Sequence, residues 1–316
     1  MRPASALFFI AVLALAGCDS LPYVPDPQPL EPGRLPTPNA VLNVAHLRPC
    51  TDSADHTLSL NTSYPVTVLV HGCNGSAGRF RSLAQLYAFH GQQAVCFGYD
   101  DRDSLVVSTA QLASALDELG RSLRGQELTV IGHSMGGLLA RKAMERDAVA
   151  DENSIKLVTV SAPLAGIRAA SACGSTALHW LSLGLVPASC WIVTGDNWFE
   201  ITSSSNFIQR PGPLRLSVRK YLKVVTDERD TCRRKGENGA CLASDYTFSL
   251  GEQYQPVIDH YPQLVNIQVK AGHVEIVGEK EVAPRKLLAI LQQQGLLATT
   301  PPERSAALEQ LLAELY

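Results

Sequence analysis

Charged side chains are scarce in this sequence, and neither sign dominates. Asp, Glu, Lys and Arg make up 18% of the 316 residues, where about 25% is usual. With 27 basic and 30 acidic residues, the net charge is -3. A nucleic-acid-binding surface needs clustered Lys and Arg to displace counterions from phosphates. We therefore predict no nucleic-acid partner. The cysteines form no Cys-x-x-Cys pair and have no zinc-ligand spacing, so we also predict no metal site.

Residues 1–18 have the pattern of an export signal. One early arginine precedes an apolar run and then small residues, and this run is too short to span a bilayer after processing. The ending Leu15-Ala16-Gly17-Cys18 resembles the bacterial lipoprotein signal. The resemblance implies that 1–17 is a signal peptide, that Cys18 is lipidated, and that the protein is anchored in the bacterial cell envelope, facing the periplasm. The membrane it occupies stays open, and an ordinary secretory signal with a chance cysteine is the alternative.

The stretch after Cys18 is rich in proline, with seven between Pro22 and Pro38. Proline lacks an amide donor and favours extended, poorly packed chain. We therefore expect 18–50 to form a semi-rigid tether between the lipid and a folded domain. A polyproline-type binding motif is the alternative, although the spacing of the prolines is irregular.

The central motif is Gly132-His133-Ser134-Met135-Gly136-Gly137. A buried strand is predicted directly before it and a helix directly after it, so Ser134 is expected to stand on a sharp turn from strand to helix. Glycines two positions before and two after the serine leave room where a Cβ would collide. The first helical amide, that of Met135, is expected to face developing negative charge. The alternative is a Gly-rich turn that carries an ordinary surface serine.

This motif resembles the nucleophile elbow of the α/β-hydrolase family, in its lipase and esterase branch, and the resemblance extends over about residues 60 to 294. It implies a hydrolase domain over 51–296, with a mostly parallel central sheet and helices on both faces. The chain order of strand and helix patterns agrees with such a sheet. Strands are predicted at 65–70, 94–99, 128–131, 155–161, 220–226 and 264–269, and the first helices at 79–90 and 104–123.

The resemblance also implies the other site residues. The loop 71–75 looks like the family's His-Gly loop, whose backbone donates the second oxyanion hydrogen bond, so the amide of Cys73, or failing that Asn74, is the expected donor. His273, in a Gly-His pair after the last predicted strand, resembles the catalytic histidine, and His260 is its main rival. His133 is expected to point away from the site.

The triad acid of the family lies in the loop after the strand predicted at 220–226. Asp230 fits the usual offset best and Asp227 is second, but this loop has a charged run where the family has a glycine. The choice between the two aspartates therefore stays open, with Asp230 as the prediction.

Two further segments and the cysteines complete the organisation. The apolar stretch 167–210 is predicted to be a cap or lid above the serine, and a plain helical pair is the alternative. An amphipathic helix within 297–316 is expected to pack on the domain, since its polar face is acidic. Cys173 with Cys190 and Cys232 with Cys241 are the expected disulfides, and Cys50 would then pair with Cys73 or Cys96.

Together these features predict a membrane-anchored serine hydrolase that cleaves ester or lipid substrates without any cofactor. Ser134 is the expected nucleophile, with His273 as base and Asp230 as the acid that orients it. An acyltransferase, or a peptide or thioester hydrolase, would use the same residues. A hydrolase-like binding module without activity is the alternative from a different functional class. The sequence does not indicate the oligomeric state.

Overall fold

The computed structural model describes residues 28–145, 153–182, 185–279 and 281–316. Its strands are β1 Ala40–Leu42, β2 Leu47–Arg48, β3 Leu58–Leu60, β4 Val66–Val70, β5 Gln93–Phe97, β6 Leu128–His133, β7 Ile155–Val160, β8 Val218–Asp227, β9 Cys232–Lys235, β10 Cys241–Ser244 and β11 Leu264–Lys270. Its α-helices are α1 Arg81–Phe89, α2 Leu105–Ser122, α3 Met135–Ala143, α4 Thr176–Leu181, α5 Leu185–Thr194, α6 Asn206–Gln209, α7 Leu250–Gln253, α8 Pro256–Asp259, α9 Arg285–Gln293 and α10 Ser305–Leu315.

A seven-stranded sheet lies at the centre of the described chain. Its strand order is β11-β8-β7-β6-β4-β5-β2, and all neighbours pair in parallel except β2, which runs antiparallel to β5. The predicted mostly parallel central sheet is confirmed. Parallel strands bring their carboxyl ends to one edge of the sheet, and ligands bind there in folds of this kind. We call this the carboxyl edge.

The inner strands β4, β6 and β7 bury side chains on both faces of the sheet. In the register, Val68 and Val130 share one face, while Leu69 and Ile131 share the other. The first pair belongs to an apolar cluster that includes α2 and α3 residues, and the second pair to a cluster with α1 and α9 residues. The sheet is thus covered by helices on both sides, which is why its inner strands are nearly continuous runs of Val, Ile and Leu.

The segment from Gln28 onward packs against the domain, so the expectation of a free tether up to residue 50 is wrong for this part. Arg81 Nη2 donates to the carbonyl of Pro29 over 3.1 Å, and Gln85 exchanges hydrogen bonds with the backbone of Glu31. Proline lacks an amide donor but keeps a carbonyl acceptor, and α1 side chains bind the carbonyls of Pro29 and Glu31. Strand β2 then joins the central sheet.

The insertion predicted at 167–210 consists of short helices that follow β7. A 3₁₀ segment, Arg168–Gly174, leads into α4 and α5, and a further 3₁₀ turn, Gly195–Asn197, follows α5. Hydrogen bonds join this turn to the loop after β5: Asn197 Nδ2 donates to the carbonyl of Asp101 over 2.7 Å. The insertion therefore lies at the carboxyl edge of the sheet.

Helix α10 packs on the outer side of the second apolar cluster. Leu312 is buried there, and Leu308, Leu311 and Tyr316 pack against the same cluster. None of the helices in the described ranges is long and apolar enough to cross a membrane. The predicted signal peptide and Cys18 lie outside the described residues.

Three disulfides connect the described cysteines. Cys173–Cys190 and Cys232–Cys241 form as predicted. Cys50 pairs with Cys96, which resolves the alternative left open by the sequence and leaves the Cys73 thiol free. The first bridge joins the two sides of the insertion, the second closes the β9–β10 hairpin, and the third ties the N-terminal segment to β5.

Candidate active site

Ser134 stands on a strained turn between β6 and α3. Its φ of 56° and ψ of -127° lie outside the usual regions for a residue with a side chain. The neighbouring glycines leave the room that this turn needs. A Cβ at Gly132 would lie 2.3 Å from the Gly136 carbonyl oxygen, and one at Gly136 would lie 2.3 Å from the carbonyl oxygens of Val70 and His71. The turn thus holds the Ser134 hydroxyl at the carboxyl edge.

The Ser134 hydroxyl lies beside a histidine that is distant in the sequence. Ser134 Oγ and His273 Nε2 are 3.0 Å apart, and on the other side of the ring His273 Nδ1 is 3.0 Å from Glu228 Oε1. All three residues are buried. A carboxylate only accepts hydrogen bonds, so Nδ1 carries the proton and Nε2 is left to accept from the serine. This is the geometry that a nucleophile, its base and an orienting acid require.

The carboxylate beside His273 belongs to Glu228, so the prediction that Asp230 would lie beside the histidine is wrong. Asp230 is exposed and has a left-handed φ of 58°. Asp227, the second choice, points to Arg229, which donates two hydrogen bonds to its carboxylate over 2.8 and 2.7 Å. Those bonds, above all, lower the pKa of Asp227.

The error has a physical cause in the length of β8. The strand continues to Asp227, which pairs with Lys270 of β11, one residue beyond the predicted end. Glu228 then follows at once, and its longer side chain reaches the histidine from the strand end itself. Side chains alternate along a strand, so Glu228 shares a face with Thr226. That alternation along the strand is the sequence signal that points to Glu228.

Hydrogen bonds surround the Glu228 carboxylate. Oε1 accepts from the hydroxyls of Ser161 and Thr226 over 2.6 and 2.9 Å, and Oε2 accepts from the amides of Thr247 and Phe248 over 2.6 and 2.7 Å. Burial by itself would raise the pKa of Glu228, but the hydrogen bonds and the interaction with His273 outweigh burial and lower it. The carboxylate is therefore ionised at neutral pH.

His273 is held by its backbone as well as by its ring. Its amide donates to the Asp245 carbonyl over 2.9 Å, and its carbonyl is 2.8 Å from His133 Nε2. The edge of Phe248 packs against the His273 ring. His133 thus faces the histidine instead of pointing away, which corrects that expectation. His260, the rival histidine, is exposed and bonds the Pro256 carbonyl.

The loop after β4 passes directly beside the nucleophile. A Cβ at Gly72 would lie 2.7 Å from Ser134 Cβ and 3.2 Å from its Oγ, so only glycine allows this approach. The amide of Asn74 donates to the Asp101 carboxylate and is not available to a substrate, which removes the second choice of oxyanion donor. The amide of Cys73, next to Gly72, therefore remains the candidate oxyanion donor on this loop. On the other side, Met135 is the first residue of α3, where amides have no partner within the helix.

The comparison with known families agrees with this geometry. A family model described as palmitoyl protein thioesterase matches residues 65–235, which is more than half of the chain. The chain belongs to this family. The range that matches the palmitoyl protein thioesterase family includes Ser134 and Glu228, whereas His273 lies after it. None of the curated proteins matches the sequence significantly.

Solved structures show the same fold at low identity. The mature lipase BlEst2 of Bacillus licheniformis is 18% identical, with a TM-score of 0.51 over 74% of this chain and 93% of that one. The propeptide form of the same lipase is 17% identical, with a TM-score of 0.53 over 83% of this chain and 54% of that one. These similarities support the lipase and esterase type of α/β-hydrolase fold.

Asp100 and Asp101, in the loop after β5, have structural partners. Ser104 caps α2, since its hydroxyl accepts from the Val106 amide over 3.2 Å, and Asp100 accepts from the Arg102 amide over 2.9 Å. Asp101 accepts from the amide of Asn74 and also from that of Gly75. Among the described residues, no group of three or more His, Cys, Asp or Glu side chains could hold a metal ion.

Asp101 therefore positions the loop that carries the candidate oxyanion donor. We expect Asp101→Asn to lower kcat for a short ester about 10- to 100-fold while KM changes little, because a misplaced donor weakens the transition state more than the ground state. Separate measurements of kcat and KM, with Asp100→Asn as the matched control, check this. An Asp101→Asn variant with unaltered kcat and the normal melting temperature would contradict the positioning role.

Two buried histidines in the site region stay neutral in the folded protein. Burial is the main reason why the pKa of His71 falls to about 4 and that of His133 to about 3. His71 stacks on Tyr99 with ring centroids 4.3 Å apart, and Tyr99 donates to the His71 carbonyl over 2.7 Å. Both rings are thus part of the packed base of the site.

These histidines predict acid sensitivity. The pKa values of both histidines in the folded protein lie below the unfolded value of about 6.5, so the unfolded chain binds more protons at acidic pH. The free energy of unfolding is therefore at its full value above about pH 6.5 and decreases as the pH falls below it. We expect the free energy of unfolding to fall by about 3 kcal/mol between about pH 7 and pH 5. Urea unfolding at both pH values measures this. His133→Asn should flatten the pH dependence, while His260→Gln, at an exposed site, should leave it unchanged.

Proposed function

We propose that this protein is a serine hydrolase that cleaves acyl esters through an acyl-enzyme on Ser134. The observation that carries the proposal is the buried series of hydrogen bonds from Ser134 through His273 to Glu228. Membership of the palmitoyl protein thioesterase family supports it. A binding module without activity would have no need for a strained serine aligned with a histidine and a carboxylate.

In the proposed reaction, Ser134 Oγ attacks the acyl carbonyl and His273 Nε2 accepts the serine proton. Glu228 holds the ring with Nδ1 protonated and stabilises the imidazolium that forms. The amides of Met135 and Cys73 donate to the oxyanion of the tetrahedral intermediate. His273 returns the proton to the departing alcohol, and water then releases the acid from Ser134 by the same steps. This chemistry needs neither a metal nor an organic cofactor.

A thioester is the second candidate substrate. The family model is described as palmitoyl protein thioesterase, which favours a thioester of a long acyl chain. The same residues would act, and a thiolate leaves more readily than an alkoxide.

We also propose that lipidated Cys18 anchors the enzyme in the bacterial envelope, facing the periplasm. The signal pattern of residues 1–18 supports this location. The three disulfides support it independently, because disulfides persist in oxidising compartments such as the periplasm. A protein kept in a reducing cytosol would not retain them.

The proposed function is tested by reacting the mature protein with a fluorophosphonate probe and by assaying p-nitrophenyl esters and acyl thioesters of short and long chains. We expect labelling of the unaltered protein and none of Ser134→Ala. The ratio of ester to thioester turnover at equal acyl length decides the substrate class. Product analysis with added alcohol decides between hydrolysis and acyl transfer. An unaltered protein that neither labels nor turns over any of these substrates would make the protein a binding module.

A further inference from the structure

The insertion exposes large apolar side chains to solvent. We call α4 and α5 the cap hairpin; the Cys173–Cys190 disulfide joins α5 to the 3₁₀ segment that precedes α4. Leu181, Leu185 and Ile192 on this hairpin are 81%, 72% and 66% exposed, and Leu178 and Trp191 are also exposed. Single exposed apolar residues are ordinary, but several on one small element mark an interaction surface.

The cap hairpin is fixed at the edge of the sheet where the nucleophile lies. Arg102, in the loop after β5, donates to the carbonyl of Ile192 over 3.0 Å. The carboxylate of Asp101 in the same loop binds the amide of Asn74, which belongs to the loop that contacts Ser134. The hairpin and the active site therefore lie at the same edge of the domain.

The N-terminal segment meets the domain at this edge too. Arg81, the first residue of α1, donates to the carbonyl of Pro29, whereas the Arg34 amide donates to the carbonyl of Ala88 near the end of that helix. A helix that follows a parallel strand begins near the carboxyl end of the strand. The segment therefore runs down α1 away from the carboxyl edge, and the chain that precedes Gln28 joins the domain near that edge.

The length of that preceding chain limits where the lipid can be. Cys18 and Gln28 are ten positions apart, and that many residues span at most about 35 Å when fully extended. A lipid on Cys18 would hold the bilayer within this distance of the carboxyl edge.

We infer that the cap hairpin contacts the surface of the bilayer that holds the Cys18 lipid, so that the active site draws acylated substrates from that membrane. The inference rests on the proposed function for the lipid on Cys18 and for the ester substrate. Exposed leucine, isoleucine and tryptophan side chains are the types that enter the boundary between headgroups and acyl chains. A second copy of the chain, or the acyl chain of a dissolved substrate, is the competing occupant.

The test uses the lipidated protein reconstituted into vesicles of phosphatidylethanolamine and phosphatidylglycerol, with and without brominated acyl chains. We expect brominated lipid to quench tryptophan fluorescence, and Trp191→Phe to remove most of that quenching. The double variant Leu181→Asn/Ile192→Asn should lower turnover of p-nitrophenyl palmitate embedded in the vesicles about tenfold. Its turnover of dissolved p-nitrophenyl butyrate should stay unchanged, which shows that it folds.

Leu216 provides the matched control. It is 86% exposed and lies two residues before β8 begins, hence at the opposite edge of the sheet. Leu216→Asn should alter neither quenching nor turnover of either ester. The inference would be overturned if Trp191→Phe were quenched as much as the unaltered protein, or if the double variant kept its rate on embedded p-nitrophenyl palmitate. It would also be overturned if the protein self-associated without any quenching and the double variant abolished that self-association. Quenching by a protein that hydrolyses neither ester would instead reject the proposed function and leave the membrane contact standing.

Discussion

Ser134→Ala should lower kcat for p-nitrophenyl butyrate by about 10⁵- to 10⁶-fold, and His273→Ala by a similar factor. Without the hydroxyl no acyl-enzyme forms, and without the imidazole the hydroxyl keeps its proton. The 3.0 Å contact between Ser134 Oγ and His273 Nε2 makes the two residues one functional unit. Steady-state rates from protein purified away from host esterases measure the loss.

The double variant Ser134→Ala/His273→Ala tests whether the two side chains act as one unit or contribute to kcat independently. We expect it to be no slower than either single variant, since removal of one member already disables the other. Substrate affinity should change little, because neither side chain is needed to hold the acyl chain. Losses that multiply in the double variant would show that the histidine acts on something other than the serine.

Glu228→Gln should lower kcat by about 10³- to 10⁴-fold. The amide of glutamine would favour the tautomer with the proton on Nε2, which cannot accept from Ser134. The imidazolium would also lose the nearby negative charge. Circular dichroism and the melting temperature of the variant check that it still folds.

Asp230→Asn is the matched control for Glu228→Gln, because it makes the same chemical change two residues away. Asp230 is exposed and has no contact with His273, so its kcat should stay within about twofold of the unaltered protein. Asp227→Asn should behave in the same way, since its carboxylate bonds Arg229. If Asp230→Asn were the slower variant, the acid would have to be reassigned.

The sequence contains enough information to predict the sheet and two of the three residues in the hydrogen-bonded series. The strands that form the centre of the sheet are runs of β-branched residues that end at turns, so their positions follow from local pattern. Ser134 and His273 each lie in a short motif directly after such a strand. Parallel pairing then brings both to the same edge, whatever the details of the loops.

Features that depend on contacts between distant residues could not be predicted in this way. Glu228 differs from Asp230 as a candidate only because β8 extends one residue further in its pairing with β11. The role of the Asn74 amide depends on a carboxylate 27 positions away, at Asp101. Proline content alone predicts an extended tether, and only the donors on α1 show that this segment packs.

Asp101 connects the insertion to the loop beside Ser134. The Asp101 carbonyl accepts a hydrogen bond from Asn197 Nδ2 of the insertion over 2.7 Å. The Asp101 carboxylate accepts one from the Asn74 amide in the loop next to Ser134. A ligand that shifts the insertion would therefore also act, through Asp101, on the loop that carries the candidate oxyanion donor, and by linkage the converse would hold. Longer acyl chains would then speed the chemical step itself and not merely bind more strongly, so that recognition of chain length appears in the turnover number.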